Sequence, residues 1–239
     1  MTPVAKAIVL AAGRGTRMGD LTEHLPKPML PLAGKPMIEH ILDRLRGAGI
    51  AQVLIVTGYR AETIEEHLRE YPLAVTFMRQ EKINGTATAA LLGRDFAGSD
   101  SVLLTFGDIL CEPGDYRGIS ARLYETKAVA AAIGVKQVDD PWQGAAVYER
   151  DGVVSGIIEK PAPGTSTTHW NSAGLYAFRP SIFKHLADLK PSPRGEYELT
   201  SAVEALIAAG EIVLVYAMEG QWRDVGRPED LAAAEDIVT

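Results

Sequence analysis

The chain of 239 residues is long enough for one large domain or two small ones, and its 46% hydrophobic residues suffice for a buried core. Its formal net charge of −7 argues against a general nucleic-acid-binding protein, which usually presents a basic face. A single cysteine, Cys111, excludes an intrachain disulfide and a cysteine-held metal cluster, and we expect it half-buried after a strand. Without an apolar run near ~20 residues or a signal-peptide pattern, we expect a cytoplasmic protein with no membrane partner.

The first 110 residues alternate between short apolar strands and helices. Strands are predicted in KAIVLAAG, QVLIVTG, LAVTFMRQ and SVLLTFGD, which are continuous apolar runs typical of buried parallel strands. A first helix is predicted to begin at Pro36, with apolar residues at i, i+3, i+4 and i+7 from Ile38. Further helices are predicted in AETIEEHLRE and TATAALLGRD. This alternation predicts an open parallel sheet covered by helices on both sides.

The second half mixes strands with longer connections. Strands are predicted in KAVAAAIGV, in a hairpin turning at Asp151–Gly152, in SAGLYAF and, as the final strand, in EIVLVYAM. Helices are predicted in SIFKHLADL, EYELTSAVEALIAAG and RPEDLAAAEDI. The loops 160–170 and 190–197 are rich in Pro, Gly, Ser and Thr and are expected to form mobile edges of a site. No repeat or linker interrupts the chain, so we expect a single domain, 1–239.

A glycine turn follows the first strand in LAAGRGTRMGDLTEHLPKPMLPLAGKP, residues 10–36. It is not a dinucleotide fingerprint, because Met18 stands where G-x-G-x-x-G/A needs a small residue, and no Walker A spacing occurs. Residues 1–36 carry five basic and two acidic side chains, a balance of +3, so the remaining chain carries −10. Such a segment suits a small anionic ligand. The turn, flanked by Arg14 and Arg17, fits either a phosphate site or an ordinary loop.

Two acids and two lysines are candidates for phosphate chemistry. Asp108 ends a strand and Asp224 follows the predicted final strand, so both could hold Mg²⁺ at one sheet edge together with substrate phosphates. Aspartates also commonly cap turns. Lys27 and Lys160 each precede a proline, which stiffens the backbone that carries the cation. Each lysine could instead be an ordinary solvated side chain.

Other chemistries find little support. The sequence has no G-x-S-x-G and no H-E-x-x-H motif. His40 and His67 fall in predicted helices and are expected at or near the surface. The three tryptophans lie in or beside candidate loops, where stacking on a ligand and half-buried packing are both open.

Taken together, the motifs resemble those of the sugar-1-phosphate nucleotidylyltransferase family. LAAGRGTR, PKP and GKPMI are followed in the family's order by GTATAA, GD at 107–108, EKP at 159–161, NSAGLYAF at 171–178, GEYELT at 195–200 and WRDVG at 222–226. The resemblance covers essentially the whole chain and is nearest to glucose-1-phosphate thymidylyl- and uridylyltransferases of the short form. It implies an α/β domain with a mixed, mostly parallel central sheet flanked by helices, Rossmann-like and GT-A-like. Residues 1–110 would bind the nucleotide and 111–239 the sugar phosphate.

The resemblance also implies a reaction, in which a sugar 1-phosphate attacks the α-phosphorus of a nucleoside triphosphate and pyrophosphate leaves. The implied nucleotide-binding residues are Leu10, Ala11, Ala12, Gly13, Arg14, Gly15, Thr16, Gln80, Gly85 and Thr86. The implied catalytic residues are Arg17, Lys27, Asp108 and Lys160, with Mg²⁺ held by Asp108 and Asp224. The implied sugar-phosphate residues are Gly144, Glu159, Lys160 and Asn171.

Substrate choice is less well indicated. LAAG replaces the LAGG common in thymidylyl and guanylyl members of the family and is found often in uridylyl and cytidylyl members. A Gln80 carboxamide that can both donate and accept suits uracil or thymine, so we expect UTP or dTTP with glucose 1-phosphate. A cytidylyltransferase for a polyol phosphate or phosphocholine, and a non-catalytic sugar-nucleotide-binding regulatory relative, stay open. Met18 and Thr57 count against a nicotinamide-dependent dehydrogenase. No hexapeptide repeats occur, so no fused β-helix acyltransferase domain is expected. The sequence leaves a homo-oligomer open.

Overall fold

The protein is described here by a computed structural model that covers residues 4–238. Residues 1–3 and 239 of the predicted domain lie outside the described residues. The strands are β1 (Lys6–Ala11), β2 (Pro31–Leu32), β3 (Lys35–Pro36), β4 (Gln52–Thr57), β5 (Ala74–Arg79), β6 (Val102–Phe106), β7 (Ile109–Cys111), β8 (Val129–Gln137), β9 (Ala145–Arg150), β10 (Val153–Glu159), β11 (Trp170–Phe178), β12 (Ile212–Ala217) and β13 (Trp222–Asp224). The helices are α1 (Met37–Gly47), α2 (Ala61–His67), α3 (Thr86–Leu91), α4 (Arg94–Ala97), α5 (Pro113–Leu123), α6 (Ile182–Asp188), α7 (Leu199–Ala208) and α8 (Pro228–Val238).

Nine of these strands form one sheet in the order β5-β4-β1-β6-β11-β8-β12-β10-β9. β5, β4, β1 and β6 are parallel to one another, while β11 runs antiparallel between β6 and β8. β12 is parallel to β8, and β10 runs antiparallel between β12 and β9. Seven of the nine strands in the described chain therefore share one direction, and the predicted mixed, mostly parallel sheet is confirmed.

An apolar core covers each face of this sheet, and the central strand β1 is buried on both faces. Its side chains alternate between two apolar clusters, with Ala7 and Val9 in one and Ile8 and Leu10 in the other. The first cluster is completed by α1, α2, α5 and α8, and the second by α3, α4, α6 and α7. Residues that alternate along a strand point to opposite faces of its sheet. The predicted covering of both faces by helices is thus confirmed. Within residues 4–238, no helix is both long and apolar enough to cross a membrane.

The carboxyl ends of the four parallel strands meet at one edge of the sheet. The turn after β1 begins at Ala12, Gln80 follows β5, and Gly107 and Asp108 follow β6. Gly107 N donates to Leu10 O at 2.9 Å, which extends the β1–β6 pairing by one residue and brings Asp108 beside the glycine turn. Ligands of open α/β sheets bind at this edge.

Two helices begin later than predicted. α1 starts at Met37, since Pro36 belongs to β3 and has an extended ψ of 143°. α7 starts at Leu199, three residues after Glu196, because Glu198 is extended (φ −91°, ψ 137°) and Tyr197 is held by hydrogen bonds from its N to Asn84 O and from Ala87 N to its carbonyl. Tertiary hydrogen bonds therefore override local helix propensity at both places.

Three further expectations were wrong. β12 is not the final strand, because β13 follows it and pairs with β7 in a separate two-stranded sheet. Cys111 is fully buried within β7 instead of half-buried after a strand. His40 is buried too, only 4% exposed, since its Nε2–H donates to Leu32 O at 2.8 Å and so satisfies the ring inside the core. His67 does lie near the surface, paired with Glu39.

Candidate active site

The glycine turn after β1 offers backbone amides without an acceptor. Gly15 has a left-handed φ of +65°, and Met18 N donates to Gly15 O at 2.8 Å where a 3₁₀ helix begins. The amides of Gly13, Arg14 and Gly15 donate to no acceptor in the described part of the chain. Successive free amides in a turn form a concave site for an anion. The turn is therefore built like a phosphate site.

The Lys27 side chain packs against this turn and forms an ion pair at its base with Asp108. The residue is only 6% exposed, and its Nζ lies 2.6 Å from Oδ2 of Asp108. A Cβ at Gly15 would come within 2.9 Å of the Lys27 Cβ, so the turn closes directly over the lysine. The reading of Lys27 as a solvated surface lysine is wrong, because burial of an ammonium requires a partner, which Asp108 supplies.

Asp224 faces Asp108 across the β7–β13 pair. Asp224 lies opposite Ile109 in the ladder, and Val225 N donates to Asp108 O at 3.0 Å. Desolvation and, secondly, the negative charge of Asp108 raise the pKa of Asp224 to about 6, against the lowering effect of Lys27 and Arg17. Two close carboxylates that repel each other are stabilised by a shared cation.

These groups line three clefts that share residues. The Asp108 cleft, of about 230 Å³, is lined by Leu10, Ala11, Gly13, Gly15, Thr16, Arg17, Lys27, Pro28, Gly107, Asp108 and Gly226. The Gln80 cleft, of about 290 Å³, is lined by Leu10, Ala12, Gly13, Gln80, Ile83, Asn84, Gly85, Thr86, Ala89, Phe106, Asp108 and Glu196. The Trp142 cleft, of about 310 Å³, contains Arg17, Trp142, Gly144, Asn171, Asp224 and Gly226 among its lining residues. Because neighbouring clefts share residues, they form one path with the Asp108 cleft in the middle.

In the Gln80 cleft, the carboxamide of Gln80 is oriented by the protein itself. Its Nε2 donates to Gly85 O at 3.0 Å and to Thr88 Oγ1 at 2.9 Å, and the residue is only 6% exposed. A carbonyl oxygen can only accept, so the atom that faces Gly85 O is the amide nitrogen. Both Nε2 protons are thus used, and the expectation that Gln80 donates and accepts towards a ligand is wrong. Its oxygen remains as an acceptor.

Gly85 and Thr86 join the wall of this cleft to the second half of the chain. Gly85 has φ +139°, and a Cβ there would lie 2.2 Å from Tyr197 O. Thr86 Oγ1 accepts a hydrogen bond from Leu199 N at 2.9 Å and so caps the start of α7. Only glycine fits at 85, and the Thr86 hydroxyl already accepts a hydrogen bond within the protein.

On the sugar-phosphate side, the predicted residues are only partly brought together. A Cβ at Gly144 would lie 2.1 Å from Asn171 Oδ1, which accepts from Ala145 N at 3.1 Å, so these residues form one wall of the Trp142 cleft. Lys160, exposed and with φ +42°, donates its backbone N–H to Gly144 O at 2.7 Å. Glu159 accepts from Thr200 Oγ1 at 3.1 Å, and desolvation raises its pKa. Neither Glu159 nor Lys160 lines any of the three clefts.

Arg14 is also directed away from the path. Its guanidinium lies over the ring of Tyr59, with 5.2 Å from Cζ to the ring centroid. This contact is a cation–π interaction at the surface. Arg17, by contrast, lines both the Asp108 and Trp142 clefts.

Several charged residues near the path were not singled out from the sequence. Arg194 lies 4.0 Å from Glu159 and 3.5 Å from Glu198, and Glu196 lines the Gln80 cleft. Arg223 and Arg227 line the Trp142 cleft. The motifs GEYELT and WRDVG pointed to both regions, but the motif letters do not say which of their side chains face the path.

Comparisons with known proteins agree with this geometry. The sequence profile described as "Nucleotidyl transferase" matches residues 6–239. The chain belongs to the nucleotidyl transferase family. The chain is 35% identical over 238 residues to the UTP–glucose-1-phosphate uridylyltransferase AglF of Haloferax volcanii, covering 96% of this chain and 95% of AglF. It is 35% identical over 229 residues to the bifunctional protein GlmU of Methanococcus maripaludis, covering 95% of this chain and 53% of GlmU.

The fold comparison gives the same family. A candidate glucose-1-phosphate thymidylyltransferase of Bacillus anthracis, solved with sucrose, superimposes with a TM-score of 0.87 at 28% identity, covering 98% of this chain and 94% of that chain. The chain spans between about half and two thirds of the length of several curated relatives that it matches. The family resemblance predicted from the motifs is confirmed.

Proposed function

We propose that the protein transfers a nucleotidyl group from UTP or dTTP to a sugar 1-phosphate and releases pyrophosphate. The observation that carries this proposal is the single path through the three clefts. It leads from an oriented acceptor at Gln80, past three free amides and the Lys27–Asp108 pair, to Asp224 and Asn171. A nucleoside triphosphate needs such an order of base, phosphate and cation sites.

The residues present suit phosphoryl chemistry without a covalent intermediate. An oxygen of the sugar phosphate attacks the α-phosphorus, and the bond from that phosphorus to the pyrophosphate oxygen breaks. The amides of Gly13 to Gly15 would bind phosphate oxygens, and Arg17 and Lys27 would neutralise the charge that grows on the leaving pyrophosphate. Since the Gly13–Gly15 amides are already free and Lys27 is already held by Asp108, little reorganisation would be needed on binding.

Asp108 and Asp224 suit a magnesium ion. In the described residues no group of three or more His, Cys, Asp and Glu side chains forms a closed metal cage, which fits an ion that keeps water and phosphate ligands. Burial first, and the negative charge of Asp108 second, raise the pKa of Asp224, which supports a cation beside the two carboxylates. Bound Mg²⁺ would supply neutralisation of phosphate oxygens. Chelation with EDTA should abolish activity, and Mg²⁺ should restore it.

The orientation of the Gln80 carboxamide favours a base that carries an N–H donor on its edge. Only the Gln80 oxygen is available to a ligand, and uracil and thymine present N3–H to such an acceptor. Cytosine has a lone pair at N3 and can reach an acceptor only through its amino group. UTP and dTTP are therefore favoured over CTP, and the name of AglF supports UTP with glucose 1-phosphate.

The test is a pyrophosphate-release assay with UTP, dTTP, CTP, ATP and GTP, each with a panel of sugar 1-phosphates. We expect release with UTP or dTTP and a hexose 1-phosphate. Release only with CTP and phosphocholine or a polyol phosphate would favour the cytidylyltransferase alternative and contradict the proposal.

A non-catalytic sugar-nucleotide-binding role is the second alternative. It is disfavoured because Lys27, Asp108 and Asp224 converge in one cleft path and Lys160 is present beside Gly144. Asp108→Asn should lower turnover by about 10²-fold or more, while the circular dichroism stays that of the native protein. Tight nucleotide-sugar binding with no pyrophosphate release under any tested condition would support the regulatory role instead.

A further inference from the structure

The connection between β12 and β13, which we call the clamp loop (218–221), is tied down by two charged side chains. Oδ1 of Asp115 accepts hydrogen bonds from Glu219 N at 3.0 Å and from Gly220 N at 3.4 Å. Nζ of Lys136 donates to Met218 O and Gly220 O, both at 3.1 Å. Asp115 is only 1% exposed, so this is a buried attachment rather than a surface contact.

Asp115 belongs to the same chain segment as the first of the two candidate metal ligands. β7 directly follows Asp108, and α5, which carries Asp115 in its first turn, follows β7 after one residue. On the other side, the clamp loop leads into β13, which ends at Asp224. The two segments are therefore joined by the β7–β13 ladder, by the hydrogen bond from Val225 N to Asp108 O and by Asp115.

The ladder alone is too short to fix this geometry. β7 and β13 have three residues each and form a sheet of their own, apart from the nine-stranded sheet. An isolated two-stranded pair has little stability in water. Trp222 adds one contact, because its Nε1 donates to Ala173 O at 2.8 Å. The start of β13 thus depends on how the clamp loop is held.

The chemistry of the Asp115 carboxylate suits a stable attachment of the clamp loop. A carboxylate in the first turn of a helix is stabilised by the helix dipole and can accept several N–H groups. A third donor, Tyr216 Oη, lies 3.2 Å from the same Oδ1, while Oδ2 has no hydrogen-bond partner in the described residues. A Cβ at Gly220 would come within 2.6 Å of Oδ2, so glycine lets the loop approach the carboxylate this closely.

We propose that Asp115 and Lys136 are positioning residues, which hold the clamp loop and thereby set Asp224 beside Asp108. The inference rests on the proposed function, because it takes these two carboxylates to hold Mg²⁺. Neither Asp115 nor Lys136 lines the clefts, so both act only through β13. Residues behind the ligands of a metal typically change metal affinity or activity by about 10–100-fold when they are removed.

The matched variants are Asp115→Ala and Asp115→Asn. Asparagine keeps the accepting Oδ1 and places its amide where Oδ2 has no partner, whereas alanine removes the attachment. We expect Asp115→Ala to raise the Mg²⁺ concentration for half-maximal rate by about tenfold or more, Lys136→Met to raise it less, and Asp115→Asn to stay within about threefold of the wild type. Tyr216→Phe removes a partner of Asp115 outside the loop and should leave the Mg²⁺ dependence unchanged.

Two readouts do not depend on turnover. Electron paramagnetic resonance of free Mn²⁺, with a methylene-bridged UTP analogue present, should show weaker Mn²⁺ binding in Asp115→Ala than in Asp115→Asn. The indole ¹⁵N–¹H resonance of Trp222, assigned with Trp222→Phe, should shift in Asp115→Ala because β13 is displaced.

A merely structural role would lower the thermal midpoint of Asp115→Ala and leave Mn²⁺ affinity, Mg²⁺ dependence and the Trp222 resonance unchanged, and that result would overturn the proposal. If the wild type itself binds no Mn²⁺ and releases no pyrophosphate, the proposed function fails. The Trp222 resonance then still decides whether Asp115 and Lys136 set the position of β13. An unshifted resonance in both Asp115→Ala and Lys136→Met contradicts a positioning role of these two residues.

Discussion

Nζ of Lys27 and Oδ2 of Asp108 lie 2.6 Å apart at the centre of the cleft path, so one ion pair joins the P-K-P segment to the end of β6. The lysine compensates one of two neighbouring carboxylates and also remains next to the amides of the glycine turn. Its charge is therefore available to phosphate without having to be brought in from solvent. Because of this pairing, substitution of Lys27 is the most direct test of how the site neutralises negative charge.

Lys27→Met should lower kcat/KM by about 10²-fold or more, because it leaves Asp108 without its ion-pair partner and removes a charge from the phosphate site. The measurement is initial pyrophosphate release at saturating Mg²⁺. Lys35→Met is the matched control from the same sequence segment. Lys35 pairs with Asp43 and does not line the path, so its loss should leave kcat/KM within about twofold. Equal losses in both variants would contradict the role given to Lys27.

Alanine at two glycines of the same turn should separate ligand binding from folding. A Cβ at Gly13 meets no protein atom within 4 Å, so Gly13→Ala should leave stability within about 0.5 kcal/mol while its methyl group obstructs a bound phosphate. Gly15→Ala requires φ +65° and pushes on the Lys27 Cβ, and should cost about 1–2 kcal/mol or more.

Urea unfolding gives the stabilities of these two variants, and the KM for the triphosphate gives binding. We expect a clearly raised KM in Gly13→Ala without a change in unfolding midpoint. A wild-type KM for Gly13→Ala would show that no ligand packs against this part of the turn.

Burial of Cys111 should show in its reactivity and in alkaline stability. Desolvation raises the pKa of the thiol to about 12, so the native protein should react very slowly with a thiol-specific disulfide reagent, and urea should expose one reactive thiol per chain. Between pH ~9 and ~12 the unfolded chain has lost this proton and the native state has kept it, so stability falls as pH rises, by about 1.4 kcal/mol per unit. Cys111→Ala should have a shallower alkaline slope, and a fast thiol reaction in the native protein would contradict the burial.

His40 should contribute to acid sensitivity. Burial, the largest cause, lowers its pKa, and the nearby charge of Lys35 lowers it further. Below about pH 6.5 the unfolded chain therefore takes up a proton that the native state resists, and stability falls as the pH falls. His40→Gln can still donate to Leu32 O and cannot titrate. Urea unfolding at pH 5 and pH 7.5 should show a smaller difference for His40→Gln than for the wild type. An equal difference would assign the acid sensitivity to other groups.

Much of the nucleotide side follows from local sequence signals. The apolar run 7–11 and the glycines after it predict β1 and its turn, because a strand buried on both faces must be continuously apolar. Asp108 could be placed at the same edge because parallel strands end together. These signals are local in the chain, and the structure agrees with them.

Other features depend on contacts between distant parts of the chain. β7 and β13 are too short to show periodicity, and their pairing joins distant segments of the chain. The orientation of Gln80 depends on Gly85 O, which a residue type cannot reveal. The burial of His40 follows from a hairpin carbonyl, Leu32 O, packed beside α1. No pattern within a single segment encodes these three facts.

The close approach of Gly85 to Tyr197 has a consequence for how the two halves of the chain communicate. Tyr197 N donates to Asn84 O and its carbonyl accepts from Ala87 N, so two backbone hydrogen bonds join the rim of the Gln80 cleft to the segment that carries Arg194. A base that tightens against this rim would also restrain Arg194 beside Glu159, on the side where the acceptor sugar would sit. Binding of the nucleotide would then restrain the acceptor side of the site through two backbone hydrogen bonds, and the nucleotide would be expected to bind before the sugar 1-phosphate.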